Sequence, residues 1–328
     1  MIDGQADDAC WQGLPVMETF YQYWSPTPKP PPLKTAARLC FDATGLYLLV
    51  TLWDDRLDTV RATIRDRDNP LTWTDDCVEI MIDPHNTGDS YYKFCTNSNA
   101  ARYDERATHL ELNGGWNAEG WKSATSKGEG EWTIEFALPW SDIDAKPRDG
   151  EVWSFDLVRY SFSTGSFRGV TWSLGGAGAA PRNFGYLGFG RFPIDKTAYL
   201  ERIARAAAKT KGQTFYLLAG DEVVTRDGPG SWRRTDLRAW AAEPLTESGS
   251  ALDEAYATLE TLPIGDSRRD LHAKLDDLGA QLRELRGKAA GDLPPAEAAV
   301  LRQEGLTLRR AAVDLKWRTM VIELVQRQ

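Results

Sequence analysis

Acidic and tryptophan side chains offer the most chemistry in this 328-residue chain, with 48 Asp and Glu and 13 Trp against three His and four Cys. Trp73 follows the loop-like stretch Arg67-Asp-Asn-Pro-Leu-Thr72 and precedes Asp75 and Asp76. A tryptophan so placed faces solvent, where its ring and the neighbouring carboxylates combine dispersion with charge-assisted hydrogen bonding. Glu79 stands six residues further on. With Glu135 or Asp156 it could form the carboxylate pair of a glycosidase, held roughly 5–10 Å apart, although carboxylates this abundant give the pairing little specificity. His85, His109 and His272 are too scattered for a triad or metal site, and no Cys-x-x-Cys spacing suggests zinc. No Gly-x-Ser-x-Gly, His-Glu-x-x-His, phosphate-loop or dinucleotide fingerprint occurs, which removes several enzyme classes.

These residues sit in a β-rich segment, 1–192. Ala37–Phe41, Leu46–Trp53, Cys77–Asp83, Tyr91–Asn97, Trp132–Ala137 and Val152–Tyr160 are short runs rich in β-branched and aromatic residues, separated by Gly- and Asn-bearing turns. Across the Asp83–Ser90 turn the alternation is clear. Val78, Ile80 and Ile82 face one way and Cys77, Glu79 and Met81 the other; Tyr92, Phe94 and Thr96 alternate with Lys93, Cys95 and Asn97. If the apolar face fills the core, Glu79 and Asn97 are displayed together. The spacing predicts an antiparallel β-sandwich, with Trp11, Trp132, Trp140 and Trp153 in its core. The run Ser25-Pro-Thr-Pro-Lys-Pro-Pro-Pro32 cannot be a central strand and reads as a surface loop. Cys77 and Cys95 lie on neighbouring strands and either bridge or remain buried thiols, and Cys10 and Cys40 are likewise open to pairing.

From 193 to 328 the pattern is mostly α-helical. Lys196–Ala208 reads as a helix and Thr214–Val224 as a small strand pair, followed by the turn Asp227-Gly-Pro-Gly230. Leu271, Leu275, Leu278, Leu282 and Leu285 recur at steps of four and three. After Gly291-Asp-Leu-Pro-Pro295, the stripe Leu306, Val313, Trp317, Met320 and Leu324 continues the pattern. Together they predict a helical hairpin over about 250–327, its stripes packing within the chain rather than against a second copy.

A string of motifs in order resembles the carbohydrate-binding modules of family 9. It opens with Ile2-Asp3-Gly4 and Trp11 and continues through Arg38, Phe41-Asp42, Asp54-Asp55 and Arg65-Asp66. Then come Trp73-Thr-Asp-Asp-Cys-Val-Glu79, Ile82-Asp83-Pro84, Tyr91-Tyr-Lys-Phe94, Asn97, Asp104, Trp132-Thr-Ile-Glu135, Leu138-Pro-Trp140, Trp153-Ser-Phe155, Arg159, Trp172-Ser173 and Phe184-Gly185. The resemblance covers about 2–190 and implies a β-sandwich that binds sugar without cleaving it. In that family a sugar unit is held between two Trp rings, with polar side chains on its hydroxyls. Carried over, Trp73 and Trp172 are the rings, and Glu79, Asn97, Arg102 and Arg159 the polar contacts. Cys95 stands where a further polar contact is expected, and the Gly/Ala-rich run Leu174-Gly-Gly-Ala-Gly-Ala-Ala180 could reshape the pocket. The physical logic agrees: aromatic planes cover the C–H face of a pyranose, and carboxylate, amide and guanidinium groups satisfy its rim. Glu79 has a plainer alternative as a cross-strand partner of Lys93, and Arg159 as the partner of a carboxylate inside the sheet.

The resemblance implies a mono- or oligosaccharide, or a polysaccharide chain end, as partner, and an extracellular or periplasmic place beside polysaccharide-degrading enzymes. It requires no cofactor, though the Asp-rich loops would allow structural calcium. Residues 193–328 carry 21 basic and 21 acidic residues, so the whole net charge of −9 falls on 1–192. That acidity argues against nucleic acid and anionic membrane as partners, and no run is long and apolar enough to span a bilayer. The first residues carry neither a basic nor an apolar leader region. The alternative to sugar binding is an adaptor that works through its helical tail, which could contact another protein or domain, with a degenerate sugar site.

Overall fold

The computed structural model describes residues 1–25, 27–174, 180–190, 196–211, 214–228 and 232–326. Residues 175–179 of the Gly/Ala-rich run, Pro26 of the proline-rich run and residues 229–230 of the Asp227 turn lie outside these. The chain divides into two compact units, Met1–Phe215 with Asp227–Pro229, and Tyr216–Arg226 with Gly230–Gln328.

In the first unit two antiparallel sheets enclose one core. The smaller runs β2 (Thr35–Phe41), β3 (Gly45–Trp53), β9 (Glu131–Pro139) and β8 (Lys122–Lys127). The larger runs β1 (Tyr21–Gln22), β11 (Arg168–Thr171), β10 (Val152–Ser161), β4 (Cys77–Asp83), β5 (Tyr91–Asn97), β6 (Arg102–Thr108) and β7 (Glu111–Asn113), with β12 (Gly185–Gly188) also paired to β10. The expected alternation holds. Val78, Ile80, Ile82 and Phe94 join Leu48, Val50, Phe136 and Phe155 between the sheets, with Trp132, Trp140 and Trp153. Trp11 is buried elsewhere, on Glu135 of β9. That carboxylate accepts the Trp11 indole N–H at 2.9 Å and the amides of Asp3 and Gly4 at 2.8 and 2.9 Å. Gly4 has φ +83°, and a Cβ there would stand 2.5 Å from the Thr125 carbonyl carbon. The opening motif is thus a strap pinned across the small sheet.

Helix α1 (Lys196–Thr210) packs against β10 and β12 of this first unit. The Thr210 hydroxyl meets the Tyr186 hydroxyl at 2.6 Å. The sequence reading ends the sandwich at 192, whereas here the division falls after this helix.

The second unit holds a three-stranded sheet, β13 (Thr214–Ala219), β14 (Glu222–Asp227) and β15 (Trp232–Asp236), and three long helices. Helices α3 (Asp266–Ala290) and α4 (Pro295–Gln326) form the expected hairpin, but α2 (Leu237–Leu259) packs on both. It begins well before Ser250, capped by the Asp236 carboxylate, which accepts the Ala239 amide at 2.9 Å. Pro244 lies inside it and cannot donate to the carbonyl of Trp240 four residues back. The Arg302 guanidinium of α4 donates to that carbonyl instead and lies 4.7 Å from the Trp240 ring. Leu271, Leu275, Leu282 and Leu285 are buried as expected. The stripe expected on α4 is not the buried one. Leu301, Leu308, Ala312, Leu315 and Thr319 face inward, while Trp317, Met320 and Leu324 are exposed. Among the described residues, no helix is long and apolar enough to cross a membrane.

Candidate functional site

The face of the large sheet turned away from the core carries an ordered set of side chains. Register aligns Tyr21, Thr171, Val158, Glu79, Cys95 and Tyr103 as successive partners across six strands. Beside that row run Asp156, Met81, Lys93 and Glu105 on one side, and Gly169, Tyr160, Cys77 and Asn97 on the other. Glu79 accepts the Tyr160 hydroxyl at 3.0 Å, and Tyr160 meets the Tyr23 hydroxyl at 3.1 Å. Lys93 bridges Glu79 at 3.6 Å and Glu105 at 2.7 Å, and Glu105 accepts the Tyr103 hydroxyl at 2.7 Å. Burial lowers the Lys93 pKa, but the two glutamates outweigh it and hold the amine above the ordinary lysine range. Burial likewise raises the Tyr160 phenol, with the Glu79 charge acting in the same direction. The network sets two glutamates, a lysine and phenol hydroxyls side by side on the outer face, largely shielded from solvent, a mixed donor and acceptor arrangement suited to hydroxyl groups.

The six residues singled out from the sequence separate. Glu79 and Asn97 share the outer face, as the alternation predicts. Trp73 sits in a short 3-10 turn, Thr72–Thr74, packed on β4 and β5, and is 46% exposed. Asn97 is fully buried, and its amide makes the four hydrogen bonds open to it. It donates to the Ile64 carbonyl and Asp75 and accepts from the Asn99 and Ala101 amides. It clamps the loop leading to Trp73 and has no bond left for a ligand.

Arg102 and Arg159 lie on the opposite face, in the row Val170, Arg159, Val78, Thr96, Arg102. Arg102 donates to the Trp121 carbonyl and lies 5.4 Å from its ring. Arg159 is fully buried and ties the sheets together, donating to the carbonyls of Lys34 and Trp53 at 3.0 and 2.9 Å and to Asp54 at 3.0 Å. Desolvation lowers its pKa to about 10, against the pull of Asp54 and Asp76. Trp172 is half-buried against the inter-sheet core, edge-on to Phe155 at 5.6 Å, where a Cβ on Gly185 would strike its ring. Its neighbour Thr171 takes the outer face, hydrogen-bonding Asp156 at 3.1 Å. Strand alternation thus turns Trp172, Arg102 and Arg159 away from Glu79, and these three do not join a common site with it.

The loop aspartates are fasteners. Asp75 accepts the amides of Thr63 and Ile64, and Asp76 those of Arg61 and Phe162. Asp54 accepts from Ser163, Arg56, Arg159 and Arg168. Burial pushes Asp54 up, yet these donors outweigh it and hold its pKa below the usual value. Among the described residues no three His, Cys, Asp or Glu side chains gather to hold a metal. All four cysteines are free thiols, and burial, with Cys95 alongside, raises the Cys77 pKa.

The residues missed from the sequence are Tyr103, Glu105, Tyr160 and Tyr23. Tyr103 and Glu105 belong to β6, a strand too charged to show an alternation, whereas Lys93 was legible as a charge partner of Glu79 on the adjacent strand, which it meets diagonally, Cys95 being directly opposite.

Comparison with known proteins adds the family. The model for "Carbohydrate family 9 binding domain-like" matches residues 2–174. The chain is 32% identical over 129 residues to endo-1,4-beta-xylanase A of Thermoanaerobacterium saccharolyticum, covering 37% of this chain and 10% of that protein. It is 32% identical over 138 residues to exoglucanase XynX of Acetivibrio thermocellus, covering 42% of this chain and 12% of that protein. It thus spans only about a tenth of the length of these relatives. Among solved structures, a family 9 module from Caldicellulosiruptor kristjanssonii in complex with glucose aligns at TM-score 0.43 and 17% identity, covering 59% of this chain and 93% of that chain. The motif strap, the two sheets and a family match over more than half of the chain agree: this protein belongs to the carbohydrate family 9 binding domain-like family.

Proposed function

We propose that the sandwich binds a sugar unit, without cleaving it, on the outer face of the large sheet. The observation that carries this reading is the Tyr160–Glu79–Lys93–Glu105–Tyr103 network, on strands two of which, β4 and β5, also pack the turn bearing the half-exposed Trp73. Donors and acceptors there meet ring hydroxyls, and the Trp73 indole covers a C–H face. Trp172 supports the sheet from behind in this reading, so the two-ring slot expected from the family is not built from this pair. A mono- or oligosaccharide is the partner, and the reading places the sandwich alongside xylan- or glucan-degrading activity, the activity that the relatives' names carry.

Calorimetric titration of the whole chain with glucose, cellobiose, xylobiose and galactose tests the reading. Glu79→Gln and Trp73→Ala should each weaken the favoured sugar about tenfold or more, near 1.4 kcal/mol, with the fold retained. Absence of heat for every sugar would end it.

A second reading has its own observation. Trp317, Met320, Val321, Leu324 and Val325 form an exposed apolar stripe on the last turns of α4. Such a stripe on a helix suits docking to another protein, which is the adaptor reading.

A further inference from the structure

A second aromatic surface lies on the same outer face, at Trp24 and Phe167. Trp24 follows β1 and is 64% exposed. Its backbone has φ +58°, in the left-handed region that a bulky residue occupies only when its surroundings hold it there. The surroundings do so. The indole stacks on Tyr23 at 5.3 Å with 21° between planes, and the Phe167 ring lies 5.7 Å away. Gly169 makes this cluster possible: a Cβ there would stand 2.6 Å from the Phe167 ring and 2.7 Å from the Tyr23 Cβ. Phe167 in turn lies 5.7 Å from the Tyr160 ring. The rim is hydroxylic, with Thr164 and Ser166 exposed and 3.2 Å apart.

The platform is physically continuous with the Glu79 network through Tyr23 and Tyr160. Strand β1 is three strands from β4 in the order β1-β11-β10-β4. At about 4.8 Å per strand that is roughly 14 Å, the reach of a short oligosaccharide. We infer that Trp24 and Phe167 form a second carbohydrate subsite, which stacks on a further unit of a β-linked oligosaccharide whose first unit occupies the Glu79 network. The inference rests on the sugar-binding reading above. An exposed indole fixed flat beside small hydroxyls and a hydrogen-bonding network matches a sugar ring's alternation of C–H face and hydroxyl rim.

The test compares a monosaccharide with its trisaccharide on the whole chain, using glucose with cellotriose and xylose with xylotriose. The variants are Phe167→Leu and Trp24→Gly, the latter because glycine accepts φ +58° without strain. The expected result is that each variant loses about tenfold in trisaccharide affinity, one well-packed aromatic contact, while monosaccharide affinity stays within about twofold. Unchanged trisaccharide affinity in folded variants, with monosaccharide binding intact, overturns the subsite and leaves the sugar-binding reading standing. Equal loss for both sugars also overturns it, since the platform would then belong to the first unit. If the wild type binds none of the four sugars, the underlying reading fails and the subsite with it.

Discussion

The two units solve the burial problem in opposite ways. Every buried Asp, Glu and Arg among the described residues lies in the sandwich, where Asp54, Asp75, Asp76, Glu135, Asp156 and Arg159 are all at 4% exposure or less. The buried polar residues of the helical unit are hydroxyls only, Thr225, Ser248 and Thr319, and its charges pair at the surface. In the sandwich, carboxylates act as fasteners between loops and sheets, and their desolvation is offset by several donors each. In the helical unit, apolar seams hold the helices and ion pairs decorate them. Residue type alone is therefore no guide to a ligand in the sandwich: Asp54, Asp75 and Asp76 are spent on loop amides and guanidinium groups, whereas Glu79 and Glu105 share a lysine and tyrosine hydroxyls on the outer face.

The largest effect that would break this contrast comes from Arg159→Ala. It leaves Asp54 buried with Arg168 as the one remaining guanidinium that it meets, and removal of one partner of a buried pair costs about 3–5 kcal/mol. Denaturant unfolding followed by tryptophan fluorescence should show the sandwich transition shifted by that amount and the helical one unmoved. Equal shifts in both would show that the units do not respond separately.

Asp156 sharpens the comparison by pH. Its carboxyl, fully buried on the outer face, is raised to about 6 by desolvation, against hydrogen bonds from Ser173, Thr171 and the Leu157 amide. A folded pKa above the unfolded value of about 3.9 means that the native state binds the proton more tightly. The group's contribution to stability is full below about pH 4 and is lost as pH rises through about 6. Relative to Asp156→Asn, the wild type should gain on the order of 1–3 kcal/mol between pH 7 and pH 4. A constant difference across that range would contradict the assignment.

The smallest effect belongs to the helical unit. Lys316 meets Glu254 at 2.8 Å across α4 and α2, with both groups in contact with water. Lys316→Ala should cost between about 0.2 and 1 kcal/mol and less in high salt. A cost near that of Arg159→Ala would erase the distinction between the units.

This division also explains what the sequence made legible. Strands β4 and β5 could be read to the residue, because one apolar and one mixed face alternate strictly through Val78, Glu79 and Ile80 and through Lys93, Phe94 and Cys95. Trp132 and Trp153 were readable as core for the same reason, while Trp140 enters the core from the turn that follows β9. Arg102, Arg159 and Trp172 have types that suit a ligand, but their face is set by register with strands whose pairing no local pattern reveals. Trp24 gave no signal because its placement depends on a backbone turned left-handed and on the space above Gly169. The early start of α2 was hidden by Pro244, whose presence inside a helix contradicts local propensity.

The Trp240 carbonyl carries a consequence for the order of events in folding. Pro244 denies it a partner within α2, and Arg302 supplies one from 62 residues along the chain. Local elongation alone cannot finish α2 around that point, because the break heals only when α4 has closed the intervening loop and docked. The Ser248 hydroxyl, 3.0 Å from the Gly305 carbonyl, and Gly305 itself, with Leu245 and Pro244 against it, set the register of that docking. Completion of α2 is thereby tied to a contact of long sequence separation, which adds loop-closure entropy to the last step of its pairing.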